Sequence, residues 1–157
     1  MKTMPQLAYL LYEMLHEIKL NVNNAAEVSN NEFIVGDITY EIKYQTININ
    51  GKDIPDISFN QKGSKTPNTR MRNTKPGEVI KVYSTMYKVS KDFLEKEKPE
   101  YFAVSSFAHS GYFSIYGDLV KQNPIEGYFV SNPMLQTKSK SGNILNSIIL
   151  KRYNKTN

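Results

Sequence analysis

The stretch TRMRNTKPGEVIKVYSTMYKVSKDFLEKEKPEYFAVSS, residues 69–106, sets how the rest of the chain is read. Val79, Val82, Tyr83, Met86, Val89 and Phe93 recur at intervals of three and four, so one apolar stripe runs along a helix over about 77–97. Pro99 stops that helix, because proline brings no N–H and its ring crowds the preceding turn. Behind the stop, EYFAVSSF is a short apolar run of the kind buried at a sheet centre. A strand that re-enters a sheet after a long helix has room to cross over and pair parallel, so this stretch predicts a mixed sheet and not a plain meander.

Working outward, Ile38, Tyr40, Ile42 and Tyr44 alternate with Thr39, Glu41, Lys43 and Gln45, a period of two that turns one face of a strand to the core. A shorter strand over 33–35 precedes it through the Gly36-Asp37 turn. Asn50-Gly51, a strong hairpin dipeptide, leads into DIPDISFN, where Ile57 and Phe59 point one way. On the far side, Phe113, Ile115, Tyr116, Leu119 and Val120 form a second helical pattern that ends at Asn123-Pro124. EGYFVSN and NILNSIILKRY read as closing strands, joined by an exposed hairpin loop, QTKSKSGN. At the start, Leu7, Leu10, Leu11, Met14, Leu15 and Ile18 line one face of a helix over 5–20, followed by an Asn-rich loop. The expectation is therefore an α/β (α+β) mixed sheet of about six strands, with a parallel pair near residues 101–107 and three flanking helices.

The length of 157 residues fits a single domain, and 39% hydrophobic content is that of a globular chain. The absence of cysteine excludes disulfides, thiolate metal sites and a thiol nucleophile. The apolar runs fall short of the roughly 20 residues that span a bilayer. Glu13, His16, Glu17 and Lys19 interrupt the apolar N-terminus, which argues against a secretory signal and for a cytoplasmic protein without a membrane partner. The net charge is +5, and it is unevenly placed. Lys62, Lys65, Arg70, Arg72 and Lys75 fall within the loop 61–77, which has no acid, and a second cationic group closes the chain. Such a loop is either solvated surface or a contact for nucleic-acid phosphates or an acidic protein surface. It contains no aromatic residue of the kind that stacks on single-stranded bases.

The remaining chemistry is sparse. His16 and His109 are too few for a metal site, which takes three or four ligands. His109 and Ser110 are adjacent, and adjacent residues rarely aim at one another, so Ser110 reads as a helix N-cap. Glu95, Glu97 and Glu100 alternate with Lys96 and Lys98 as a solvated face.

The order of elements, with IYGDLVKQNPIEGYFV after the second helix begins, resembles the GNAT-type N-acetyltransferases over residues 32–153. That resemblance implies an acyl-CoA enzyme in which Tyr116 donates a proton to the leaving thiolate, while the backbone at Gly77 and Val79 receives acetyl-CoA at the helix start. The family's loop carries several glycines where this chain has Gly77 alone, with Pro76 and Glu78 beside it. The same region, KVYSTMYKVSKDFLEKEKPEYFAVSS followed by SIYGDLVK, is similar to a loose group of small bacteriophage proteins. Together these imply a phage-encoded accessory protein that needs no cofactor. It would act in the host cytoplasm or the virion by binding a phage or host protein, or nucleic acid, through the basic loop. An active acetyltransferase is the alternative.

Overall fold

The computed structural model describes residues 22–63, 76–107, 114–138, 142 and 144–154. The helix expected over 5–20, His16, His109-Ser110 and most of the basic loop lie outside the described residues. The described elements run β1 (Glu32–Val35), β2 (Ile38–Ile49), β3 (Lys52–Gln61), α1 (Pro76–Glu97), β4 (Tyr101–Phe107), α2 (Ser114–Gln122), β5 (Tyr128–Lys138) and β6 (Ile144–Arg152). They make a mixed α+β fold on one six-stranded sheet of order β1-β2-β3-β4-β6-β5. Neighbours pair antiparallel except β3 and β4, which are parallel, as the helix between them allows.

Local chemistry sets the corners. Asn50 and Gly51 both take positive φ, 51° and 83°, which a two-residue hairpin with the strands' own twist requires. Asn48 reinforces that turn, its Oδ1 accepting from Gly51 N at 3.1 Å and its Nδ2 donating to Asp53 at 3.1 Å. At the end of α1, Lys98 adopts φ 48° and its N–H bonds Leu94 O at 3.1 Å, so Pro99 follows a closed terminus.

Both described helices pack on one face of the sheet. Tyr40 and Ile42 from β2, Ile57 and Phe59 from β3, Phe102 and Val104 from β4, and Ile148 and Leu150 from β6 meet Val79, Val82, Tyr83, Met86 and Leu94 of α1 and Ile115, Tyr116 and Leu119 of α2. Ring contacts run from Phe33 through Tyr40 and Phe59 to Tyr83 at centroid distances of 5.2, 5.9 and 5.6 Å. The α1 stripe turns as it goes: Tyr87 and Leu94 are buried where Val89 and Phe93 are only partly so. Its spacing of four, four, three and four from Val79 to Leu94 follows the 3.6-residue period of a straight helix.

Two expectations need correction. Tyr44, assigned to the core face, is 48% exposed, because its part of β2 extends past the short β1. The loop expected over 136–143 is shorter, since Gln136, Thr137 and Lys138 pair with Asn146, Leu145 and Ile144. Polar composition there gave way to the ladder, and the Thr137 hydroxyl bonds Ser147 at 3.1 Å.

Candidate functional site

Strands β3 and β4 are joined at only two residue pairs, Asp56↔Ala103 and Ile57↔Val104. The period of two sends Ile57 and Val104 toward the helices and Asp56 to the reverse face, where Ile47, Ile54, Ala103 and Ile149 form a smaller apolar cluster. Asp56 is 1% exposed. Burial pushes its carboxyl up to about 7, against hydrogen bonds from Ser105 and Gln45 that favour the charged form. Ser105 Oγ donates a short bond to Oδ1, and Gln45 Nε2 donates to Oδ2 at 2.7 Å. Ser105 also meets Ser147 at 2.6 Å, and Ser147 meets Thr137 at 3.1 Å. A polar chain thus crosses the sheet from β2 to β5 with one titratable group in it. Such a chain can hold and release one proton near neutral pH, and its burial closes it to substrate.

The sequence reading missed this chain. A central strand carrying Asp56, Ser58 and Asn60 on one face, opposite a strand with Ser105, was the available signal, because polar residues buried at a sheet centre must find one another.

At the start of α1, Gly77 is exposed and Val79 is buried in the core, 1% exposed. Glu78 lies in the first turn, where a negative charge suits the positive end of the helix. Its carboxylate turns onto the β1–β2 turn: a methyl group built on Gly36 would lie 2.6 Å from Glu78 Oε1. Gly36 has φ +62°, so both the backbone and the neighbouring acid call for glycine there.

Of the basic-loop cations, Lys62 is described. It pairs with Glu32 at 2.8 Å, and that bond is the first cause of its raised pKa. Lys65, Arg70, Arg72 and Lys75 lie outside the described residues.

Tyr116 is fully enclosed, at 0% exposure, on the core side of α2. Burial holds its phenol far above the ordinary range, although the nearby Ser90 hydroxyl lowers it somewhat. Its oxygen makes no hydrogen bond of ordinary geometry with the described residues. The Ser90 hydroxyl donates to Met86 O at 2.7 Å. As placed, Tyr116 is a core side chain with a weakly engaged hydroxyl, away from any surface a substrate reaches. Among the described residues, no group of three or more metal-ligating side chains comes together. No described helix is long and apolar enough to cross a membrane.

Comparison of the chain with family models, with curated proteins and with solved structures returns no match.

Proposed function

We propose that this chain is a phage-encoded accessory protein that uses an acetyltransferase-like frame for binding, with the basic loop 61–77 as contact surface. The observation that supports binding over catalysis is the enclosure of Tyr116. A general acid must lie within hydrogen-bond reach of the group it protonates, and this phenol lies inside the core with a pKa far above neutral. The helix-strand-helix order and the single parallel step are compatible with the frame that the resemblance implies. Thermal unfolding with and without acetyl-CoA is the test: no saturable rise in Tm is expected, and a clear one overturns the reading. Replacing Arg70, Arg72 and Lys75 together by alanine should abolish association with the partner recovered from infected cells. Unchanged association removes the loop from the proposal.

One feature favours the alternative of an acyl-CoA-dependent N-acetyltransferase. The Glu78 carboxylate turns onto Gly36, which moves a repelling charge toward the β1–β2 turn. The acetyl-CoA titration separates the two readings.

A further inference from the structure

The reverse face of the sheet has a built end formed by described residues outside the basic loop 61–77. Lys52 on β3, Tyr101 on β4, Lys151 on β6 and Phe129 on β5 form a row that alternates ammonium and ring across four strands. Lys52 Nζ lies 5.0 Å and Lys151 Nζ 5.4 Å from the Tyr101 ring centroid. Tyr101 pairs with Lys151 and Lys151 with Phe129, so all three share one side of the sheet. Phe129 in turn meets the ring of Tyr153 at 4.9 Å, and Tyr153 is 60% exposed.

Beside this row lies a trough of about 540 Å³. Its apolar part is Ile49, Ile54, Leu135 and Ile149 around Tyr101, and its walls are the β2–β3 hairpin and β5. β5 is bulged between Val130 and Leu135. The walls present carboxamides and hydroxyls, among them Asn50, Ser131, Asn132 and Gln136, and none of the described lining residues is acidic. Neither Lys52 nor Lys151 makes an ion pair with a described carboxylate. Lys52 is exposed, and its contact with the ring, the one it makes through its ammonium among the described residues, leaves it able to swing to a phosphate.

We propose that the row and trough bind single-stranded nucleic acid, with phosphates at Lys52 and Lys151 and bases against Tyr101 and the apolar floor. Four features point to this ligand and fit no single other class as well: cations for phosphates, rings for stacking, amides for base edges and an acid-free lining. An open trough suits a strand that passes through, since an isolated nucleotide would be left largely uncovered. The inference rests on the binding reading above but on different residues, so each can fail alone.

The test is fluorescence anisotropy of the full chain with a labelled oligothymidine, the same-length duplex, free thymidine monophosphate and inorganic polyphosphate. Tight binding of the single strand is expected, with duplex and mononucleotide much weaker and polyphosphate a poor competitor. Tyr101→Leu should lower affinity about tenfold, the scale of one lost stacking contact, and Tyr101→Phe should restore it. Lys52→Met with Lys151→Met should reduce the salt slope by roughly 1.4, at about 0.7 per phosphate on a single strand. Tm of each variant shows that the loss is not one of folding, and the exposed Lys52→Met alone serves if Tyr101→Leu is unstable. The Arg70, Arg72 and Lys75 triple variant should keep its dependence on Tyr101. No binding, equal binding of duplex, or a Tyr101→Leu protein that binds like wild type overturns the proposal. So does binding that the loop variant alone removes.

Discussion

On the face that packs against α1 and α2, Tyr40, Ile57, Phe102 and Ile148 are buried among other apolar side chains. On the reverse, Asp56, Ser105 and Ser147 are buried just as deeply, at 1, 1 and 0% exposure, beside a small apolar cluster. Equal burial here rests on different physics. The first face gains from apolar area removed from water, a contribution that does not change with pH. The second carries polar atoms whose desolvation must be offset bond by bond, and one of them titrates. The helix-covered face therefore supplies most of the stability, and the polar chain makes that stability depend on conditions.

The largest break in this comparison is Phe102→Ala. Phe102 is 0% exposed and stacks on Phe93 at 5.1 Å. Truncating it should cost about 3–5 kcal/mol, read as a fall in the urea midpoint at constant m-value. A loss below about 1 kcal/mol would mean that this face is not the chief source of stability.

Next comes the proton on Asp56. Its carboxyl is raised from 3.8 to about 7. Between those values the folded chain keeps a proton that the unfolded chain has released, so stability is highest below the window and falls as pH rises through it. At 1.36 kcal/mol per pH unit the full fall is about 4 kcal/mol as an order of magnitude. Asp56→Asn should remove this fall. The amide can still accept from Ser105, and Gln45, being exposed, can turn its own amide over. The variant should match the wild type below about pH 4 and exceed it by a growing margin up to pH 7, then by a constant one near pH 8. Parallel stability–pH curves for the two proteins would show that Asp56 does not carry the effect.

This contrast also explains what was legible in the sequence. The helix-covered face is periodic: Val79, Val82 and Met86 at helical spacing, and Tyr40 and Ile42 at strand spacing, announce it residue by residue. That periodicity gave the element order, while the Asn50-Gly51 dipeptide marked the hairpin and the long helix between two strands pointed to the parallel pair. The polar chain is not periodic along the chain. Gln45, Asp56, Ser105 and Ser147 come from four strands, and only the register brings them together. The row of Lys52, Tyr101, Lys151 and Phe129 was hidden for the same reason: its members belong to separate segments, while the eye is drawn to the contiguous cations of 61–77. Tyr116 belongs to the apolar pattern of Ile115, Leu119 and Val120, so its place on the core side of α2 was legible, and only the completeness of its enclosure waited on the packing of α2.

Ser147→Ala probes the chain at a smaller scale. Ser147 bridges Ser105 and Thr137 without bearing charge. Its loss should cost about 1–3 kcal/mol, because the buried Ser105 hydroxyl and the half-buried Thr137 hydroxyl each lose a partner. The slope of stability with pH should stay, since Asp56 keeps its bonds from Ser105 and Gln45. A change in that slope would mean that the chain acts as one cooperative unit.

Tyr116→Phe is the mirror-image experiment, with the smallest expected effect. It removes a polar atom from the apolar face, where the described residues give it no hydrogen bond of ordinary geometry and where Ser90 already donates to Met86 O. Deleting a buried hydroxyl that is poorly satisfied releases its desolvation penalty and leaves the ring's packing in place, so stability should be unchanged or rise by up to about 1 kcal/mol. Ser147→Ala removes a hydroxyl of similar burial and should do the opposite. The sign difference between these two deletions measures the distinction between the faces. If Tyr116→Phe costs as much as Ser147→Ala, the phenol is engaged in the native state. The contrast between the two faces would then fail, while the enclosure that keeps the phenol from a substrate would stand.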